Sequence, residues 1–192
     1  MTQNESHFQN REFSNEDFSG RDLTEAEFYD CTFRDCDFSD TLMNETYLEN
    51  CRFLSCNLSN TGVWGARLSD VAFEKSKLLG IKFFECSRYS FSVTMEGCSL
   101  NLCNFTDMSM KKTPIRHCTI RECYFQNTYL AESDFSHSQF QGTLFHKADL
   151  TKADFRDALG YSIDPLNNRV CKARFSSPEA LNLLNGFGVV ID

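Results

Sequence analysis

The chain has 192 residues, 41% of them hydrophobic and 24% charged, which suits a single domain. Its 27 acidic and 19 basic residues leave a formal net charge of −8, which argues against direct binding to a nucleic-acid backbone. No stretch approaches a membrane span, and the opening MTQNESHFQN lacks the apolar core of a signal peptide, so a reducing, cytoplasmic setting is expected.

A five-residue word begins at Phe8. Stepping by five meets Phe8, Phe13, Phe18, Leu23, Phe28, Phe33, Phe38, Met43 and so on to Phe83, sixteen apolar residues in a row. Neither a helix, with spacings of three and four, nor a flat alternating strand has that period. The seat two residues before each centre is mostly small from Ala26 onward, as in Cys31, Cys36, Thr41, Thr46, Cys51 and Cys56. Before that it holds Arg11, Glu16 and Arg21, the mark of a frayed or capping first turn. A word reading small–polar–large apolar–polar–polar suits a chain that turns a corner every five residues around a narrow axis. The polar seats of this stretch are acidic. Residues 1–50 carry thirteen acids against Arg11, Arg21 and Arg34, net −10, whereas the remainder of the chain is net +2.

The period slips at FECSRYSFSVT (84–94), where twelve residues separate Phe83 from Met95 in place of ten. A bulged coil there would hide Cys86 and Phe91. Alternatively, a small loop would present Arg88 and Tyr89 to a partner. Beyond the slip the centres run from Met95 through Phe105, Phe125 and Phe145 to Phe155, and Cys98, Cys103, Cys118 and Cys123 take the small seat. In all, 29 centres hold fifteen of the 19 phenylalanines. Eight of the ten cysteines sit in the small seats, where packing as a small hydrophobe explains them. Four intervening residues within a pair do not fit the zinc spacings. All eight are expected to be reduced and slow to react, with Cys86 and Cys171, outside the ladders, reacting first.

The tail SSPEALNLLNGFG reads as a short helix. Ser176 and Glu179 match a capping box, Pro178 suits its first turn and Gly186 its stop. Ala180, Leu181, Leu183, Leu184 and Phe187 would share one apolar face, with Val189, Val190 and Ile191 following.

The repeat, written ADLTKADFRDA at 148–158, resembles the pentapeptide-repeat family, with consensus A-(D/N)-L-x-x, over about residues 8–158. The resemblance implies an all-β solenoid, a right-handed quadrilateral β-helix of about seven coils with a short C-terminal helix. The repeat would occupy residues 1–160, and residues 161–192 would cap it and join two chains. Four repeats per coil bring residues twenty apart into register, so that Phe13, Phe33, Phe53 and Phe73 form one column and Phe105, Phe125 and Phe145 another.

The segment 161–192 looks like the tail of topoisomerase-protecting members, the albicidin-resistance and microcin-immunity proteins and, more distantly, the Qnr quinolone-resistance proteins. That resemblance implies a DNA mimic that binds DNA gyrase or topoisomerase IV, shields it from inhibitors and so gives antibiotic resistance. It also implies a homodimer through the C-terminal ends, at Leu181, Leu184, Phe187, Val189 and Val190. The larger loops of Qnr proteins are absent here, which favours the albicidin-resistance type. The acids expected to face the partner flank inward centres: Asp17, Asp22, Glu25, Glu27, Asp30, Asp35, Asp37 and Asp40. A charge of −10 over about 2.5 coils, roughly 12 Å of axis, rivals duplex DNA at that end alone. Two other readings stand beside this one: an acidic end that only solubilises, and a scaffold for a different protein partner, since the repeat fixes a shape and no partner. His7, His117, His137 and His146 are dispersed, and no nucleophile elbow, phosphate loop or paired-carboxylate motif stands out. Neither an enzyme, a cofactor nor a metal is expected.

Overall fold

Every fifth residue turns the chain. Asn10, Asn15, Gly20, Glu25 and Asp30 have φ between 52° and 64°, and the left-handed conformation recurs at this seat along both runs of the repeat. Between corners the backbone is extended for about three residues, as in Glu27–Tyr29 and Thr32–Arg34. Asn, Asp and Gly tolerate a left-handed corner best, because the first two bond locally and glycine has no Cβ.

The computed structural model describes residues 6–189 as a parallel β-solenoid of about eight turns, one more than the repeat count suggests. The difference lies beyond residue 160. There Arg169 still pairs with Asp149, and Phe175 with Phe155, each twenty residues on. The four faces follow from the register. Phe8, Phe28, Leu48 and Leu68 stack on the first, and Phe13, Phe33, Phe53 and Phe73 on the second. Asp17, Asp37 and Asn57 mark the third, and Asp22, Leu42 and Gly62 the fourth.

All 29 centres are buried. The second-face rings stack at centroid distances of 5.0, 4.7 and 5.2 Å. The other column starts one coil earlier than the sequence suggested, with Phe83 stacked on Phe105 at 4.6 Å, and continues through Phe125 and Phe145. Each fully buried Phe is worth roughly 1.5–3 kcal/mol and each stacked pair about 0.5–1.5 kcal/mol more.

The small seat has a second requirement besides size. Thr41 Oγ1 donates to the Phe18 carbonyl at 2.8 Å, Thr46 to Leu23 at 3.0 Å and Ser133 to Met110 at 2.7 Å. The thiols of Cys31, Cys51 and Cys56 reach the equivalent carbonyls of Phe8, Phe28 and Phe33. A small donor thus ties each coil to the centre carbonyl of the coil before it.

The slip is absorbed as a bulge. Phe91 pairs with Leu68 but Val93 with Val71, and Phe73 then meets Met95, 22 residues on, before the spacing returns to twenty. Phe91 lies edge-on to Phe83. Cys86, expected to be among the reactive thiols, is buried at 4% exposure, because it takes the small inward seat one coil above Ala66, the Ser87 amide donating to the Ala66 carbonyl as the Arg67 amide does to Thr46. At the other end of the rod, Arg11 and Arg21 form a lid and do not fray. The Arg11 guanidinium lies over the Phe8 and Phe13 rings at 5.3 and 5.2 Å, and that of Arg21 over Phe18 at 5.3 Å.

The C-terminal helix is a 3₁₀ helix, Glu179–Phe187, and this changes which residues share a side. With three residues per turn, Ala180, Leu183 and Gly186 form one row, Leu181, Leu184 and Phe187 a second, and Glu179, Asn182 and Asn185 a third. The single apolar face expected from the sequence is therefore two. Leu183 packs against the core, and a Cβ on Gly186 would fall 2.5 Å from Asp164 Oδ1. Gly186 is a close-approach residue. The stop is Gly188, at φ 66°. No capping box forms either. Ser176 Oγ accepts from the Asp157 amide, and Glu179 Oε2 from the Gly160 amide, so both side chains tie the helix to the last coil.

Candidate protein-interaction surfaces

The eight acids singled out from the sequence ring the first coils and do not share a face. Glu27 lies on the first face, Asp17 and Asp37 on the third and Asp22 on the fourth. Glu25, Asp30, Asp35 and Asp40 occupy corners, with φ between 52° and 61°. Seven are exposed, and Asp37 is half-buried. Seven of the seats have a backbone task, while Glu27 bonds the side chains of His7 and Tyr29. Asp17 Oδ1 accepts from the Ser19 amide at 2.9 Å, Asp22 from Thr24 at 3.0 Å and Asp37 from Ser39 at 2.8 Å. Hydrogen bonds from those serines and threonine hold the three carboxyls below the usual carboxylate value.

The backbone task alone does not demand an acid. Asn15, Asn50 and Asn60 fill the same corner, and Asn57 Oδ1 accepts from the Ser59 amide as Asp37 does from Ser39. Along the later coils the corner holds Lys75, Lys112, His117, His137, Lys147, Lys152 and Lys172 among its residues. With Asp70, Asp107, Glu122, Glu132 and Asp157 among them too, the corner seats pass from acidic to mixed along the rod while keeping one backbone conformation.

At the break, Tyr89 is fully exposed, and Arg88 reaches Asp107 at 3.8 Å. Ser87, beside them, borders the same recess as Glu45 and Trp64. Trp64 was not singled out from the sequence, although the seat after the centre is otherwise polar on that face in the preceding coils, at Thr24 and Asn44. At the opposite end, Leu181, Phe187 and Val189 are 46%, 54% and 47% exposed and Leu184 half-buried. Val190, also expected there, lies outside the described residues. Among the described residues, no three His, Cys, Asp or Glu side chains converge as a metal site requires, and no helix is long and apolar enough to cross a membrane.

The model of the pentapeptide repeat region matches residues 6–83 and 93–159, skipping the bulge. This chain belongs to the pentapeptide-repeat family. Among solved structures it is similar to a trypsin-treated form of QnrB1, a plasmid-mediated fluoroquinolone resistance protein. Identity is 23% over 97% of this chain and 90% of that one, with a TM-score of 0.53. Full-length QnrB1 matches at 20% identity over 95% and 90% of the two chains, with a TM-score of 0.50. No curated protein sequence matches this chain. At these identities the likeness is one of fold.

Proposed function

We propose that this pentapeptide-repeat protein binds a type II topoisomerase, DNA gyrase first, through its acidic N-terminal coils and relieves the action of an inhibitor on it, thereby giving antibiotic resistance. The protein acts as a binding partner in the cytoplasm and has no catalytic role of its own. The observation that carries this reading is the choice of acid at seats where asparagine serves the backbone equally well. A rod about as wide as its four short strands, with DNA-like charge density at one end, suits a cationic DNA-binding groove. The fold shared with QnrB1, a fluoroquinolone resistance protein, supports the same reading.

The test is supercoiling by gyrase with albicidin or a fluoroquinolone, across a concentration series of the protein. Rescue, or inhibition of supercoiling by the protein alone, is expected. The variant Glu25→Gln/Asp30→Asn/Asp35→Asn/Asp40→Asn keeps residues that tolerate the corners and should lose roughly tenfold or more in affinity, about 1.4 kcal/mol. No effect of the native protein with either drug would favour the scaffold reading, with another protein as partner. Rescue that survives the neutralised variant would keep the function and remove the charge mechanism.

A further inference from the structure

The fourth face of the rod, up to the corner where it meets the first, carries exposed apolar side chains beside a cluster of acids. Trp64, the only tryptophan, is 59% exposed, and Leu42 and Phe84 on the same face are 44% and 37% exposed. These residues come from consecutive coils of that face. Leu42 pairs with Gly62 and lies against the space a side chain there would fill, Trp64 follows two residues later, and Phe84 is twenty residues further on. The patch therefore runs along the axis for about 10 Å at strand spacing.

An open trough lies beside it. A recess of about 360 Å³ between Trp64, Gly65 and Ser87 shares Glu45 and Arg67 with a second of about 460 Å³. The second holds the carboxylates of Glu25, Glu27 and Glu49 and is walled by Tyr29 and Tyr47, whose rings lie 5.2 Å apart. Four glutamates thus face Arg67, with His7 3.0 Å from Glu27 and the Tyr47 hydroxyl donating to Glu49 at 2.6 Å, and the acids remain in excess. The backbone around the trough is already committed, with the Glu45 amide donating to Trp64 and the Gly65 amide to Glu85. Strand addition is closed here, and recognition falls to side chains.

We propose that this corner docks an extended basic segment of a partner protein, its arginine or lysine side chains among Glu25, Glu27, Glu45 and Glu49 and its apolar side chains on Trp64, Leu42 and Phe84. The occupant follows from charge complementarity: the excess carboxylates select a cation, and aromatic rings beside them favour guanidinium faces. An elongated, open trough suits a chain segment and not a compact ligand. The acid excess repels nucleic acid. The proposal concerns the segment's chemistry, so it stands or falls separately from the identity of the enzyme partner.

The single tryptophan makes the test direct. The probe is a synthetic octapeptide of alternating arginine and leucine, titrated against the native protein while Trp64 emission is followed. A saturable one-to-one change is expected, with an alternating glutamate–leucine peptide giving none. Glu45→Gln/Glu49→Gln should weaken binding at least tenfold, and Trp64→Ala should do the same by calorimetry. Glu122→Gln/Glu132→Gln, exposed corner acids of later coils, should leave it unchanged. Matched melting curves confirm that the variants are folded. No saturable change, equal loss in the remote variant, or a Trp64 signal that tracks protein concentration without peptide would overturn the proposal. The last outcome would make the occupant a second copy of the chain.

Discussion

A thiol in the small seat is held twice, by burial and by a carbonyl. Burial pushes the Cys51, Cys56 and Cys86 thiols up to about 12. Cys118 and Cys123 are pushed up by the thiols of Cys98 and Cys103 beside them and by burial. Because Cys86 and every ladder cysteine are buried, closed to reagent whichever thiol of a pair holds the proton, only the exposed Cys171 should alkylate in the native protein at pH 8. Mass mapping should find one labelled site before unfolding and ten after, and fast labelling of Cys86 or any ladder cysteine would contradict the packing. The hydroxyl members of the ladder give a second measurement. Thr46→Val keeps the shape but removes the donor to the Leu23 carbonyl, and should cost about 1 kcal/mol in urea melts. The size of this seat was legible in the sequence. Its donor role was not, because a residue 23 positions away becomes a neighbour only once the chain has coiled.

Corners and helix differ in how far a local pattern reveals them. Gly20 and Gly160 have similar φ, 64° and 70°, but a Cβ on Gly20 would meet open space while one on Gly160 would strike the Phe140 carbonyl oxygen. Both alanine variants carry the left-handed penalty of about 1–2 kcal/mol. Gly160→Ala should be the worse by at least about 1 kcal/mol, since it adds overpacking against backbone. Equal melting temperatures would show that the last coil yields. The carboxyls of Asp17, Asp22 and Asp37 have a defined pH signature. Held below 3.8 by hydrogen bonds in the folded rod, they contribute stability above that value and lose it as pH falls through their lowered pKa. Melting temperature should therefore hold down to about pH 4 and drop below it. The five-residue period exposed the corners because one backbone event recurs at one seat. The terminal helix misled for the complementary reason. Nine residues carry too few turns to distinguish a period of 3.6 from 3, and the close approach of Gly186 to Asp164 and Pro165 involves residues more than twenty positions earlier in the chain.

At the scale of the rod, the two ends differ. The first coils end in arginines folded over phenylalanine rings, a sealed and polar tip. The last coil is covered by Phe175, Tyr161 and Leu183, yet above that cover the row of Leu181, Leu184 and Phe187 still faces outward, with Val189 beside it. The expected pairing of two chains at this end places the like, acidic ends farthest apart and the apolar ends together, about a two-fold axis, the commonest closed symmetry. The 3₁₀ winding sharpens the test. Leu181 and Phe187 lie in the outward row, whereas Leu183 belongs to the cover. Leu181→Asp/Phe187→Asp should leave the melting curve near that of the native protein and convert a dimer to a 22.1 kDa monomer in light scattering at tens of micromolar. Leu183→Asp should instead lower the melting temperature, because it buries a charge against the core. A native protein that scatters as a monomer would remove the pairing, as would a double variant that stays dimeric. A monomer would present one acidic tip to its partner and a dimer two, so the same measurement fixes how many partner sites one particle can engage.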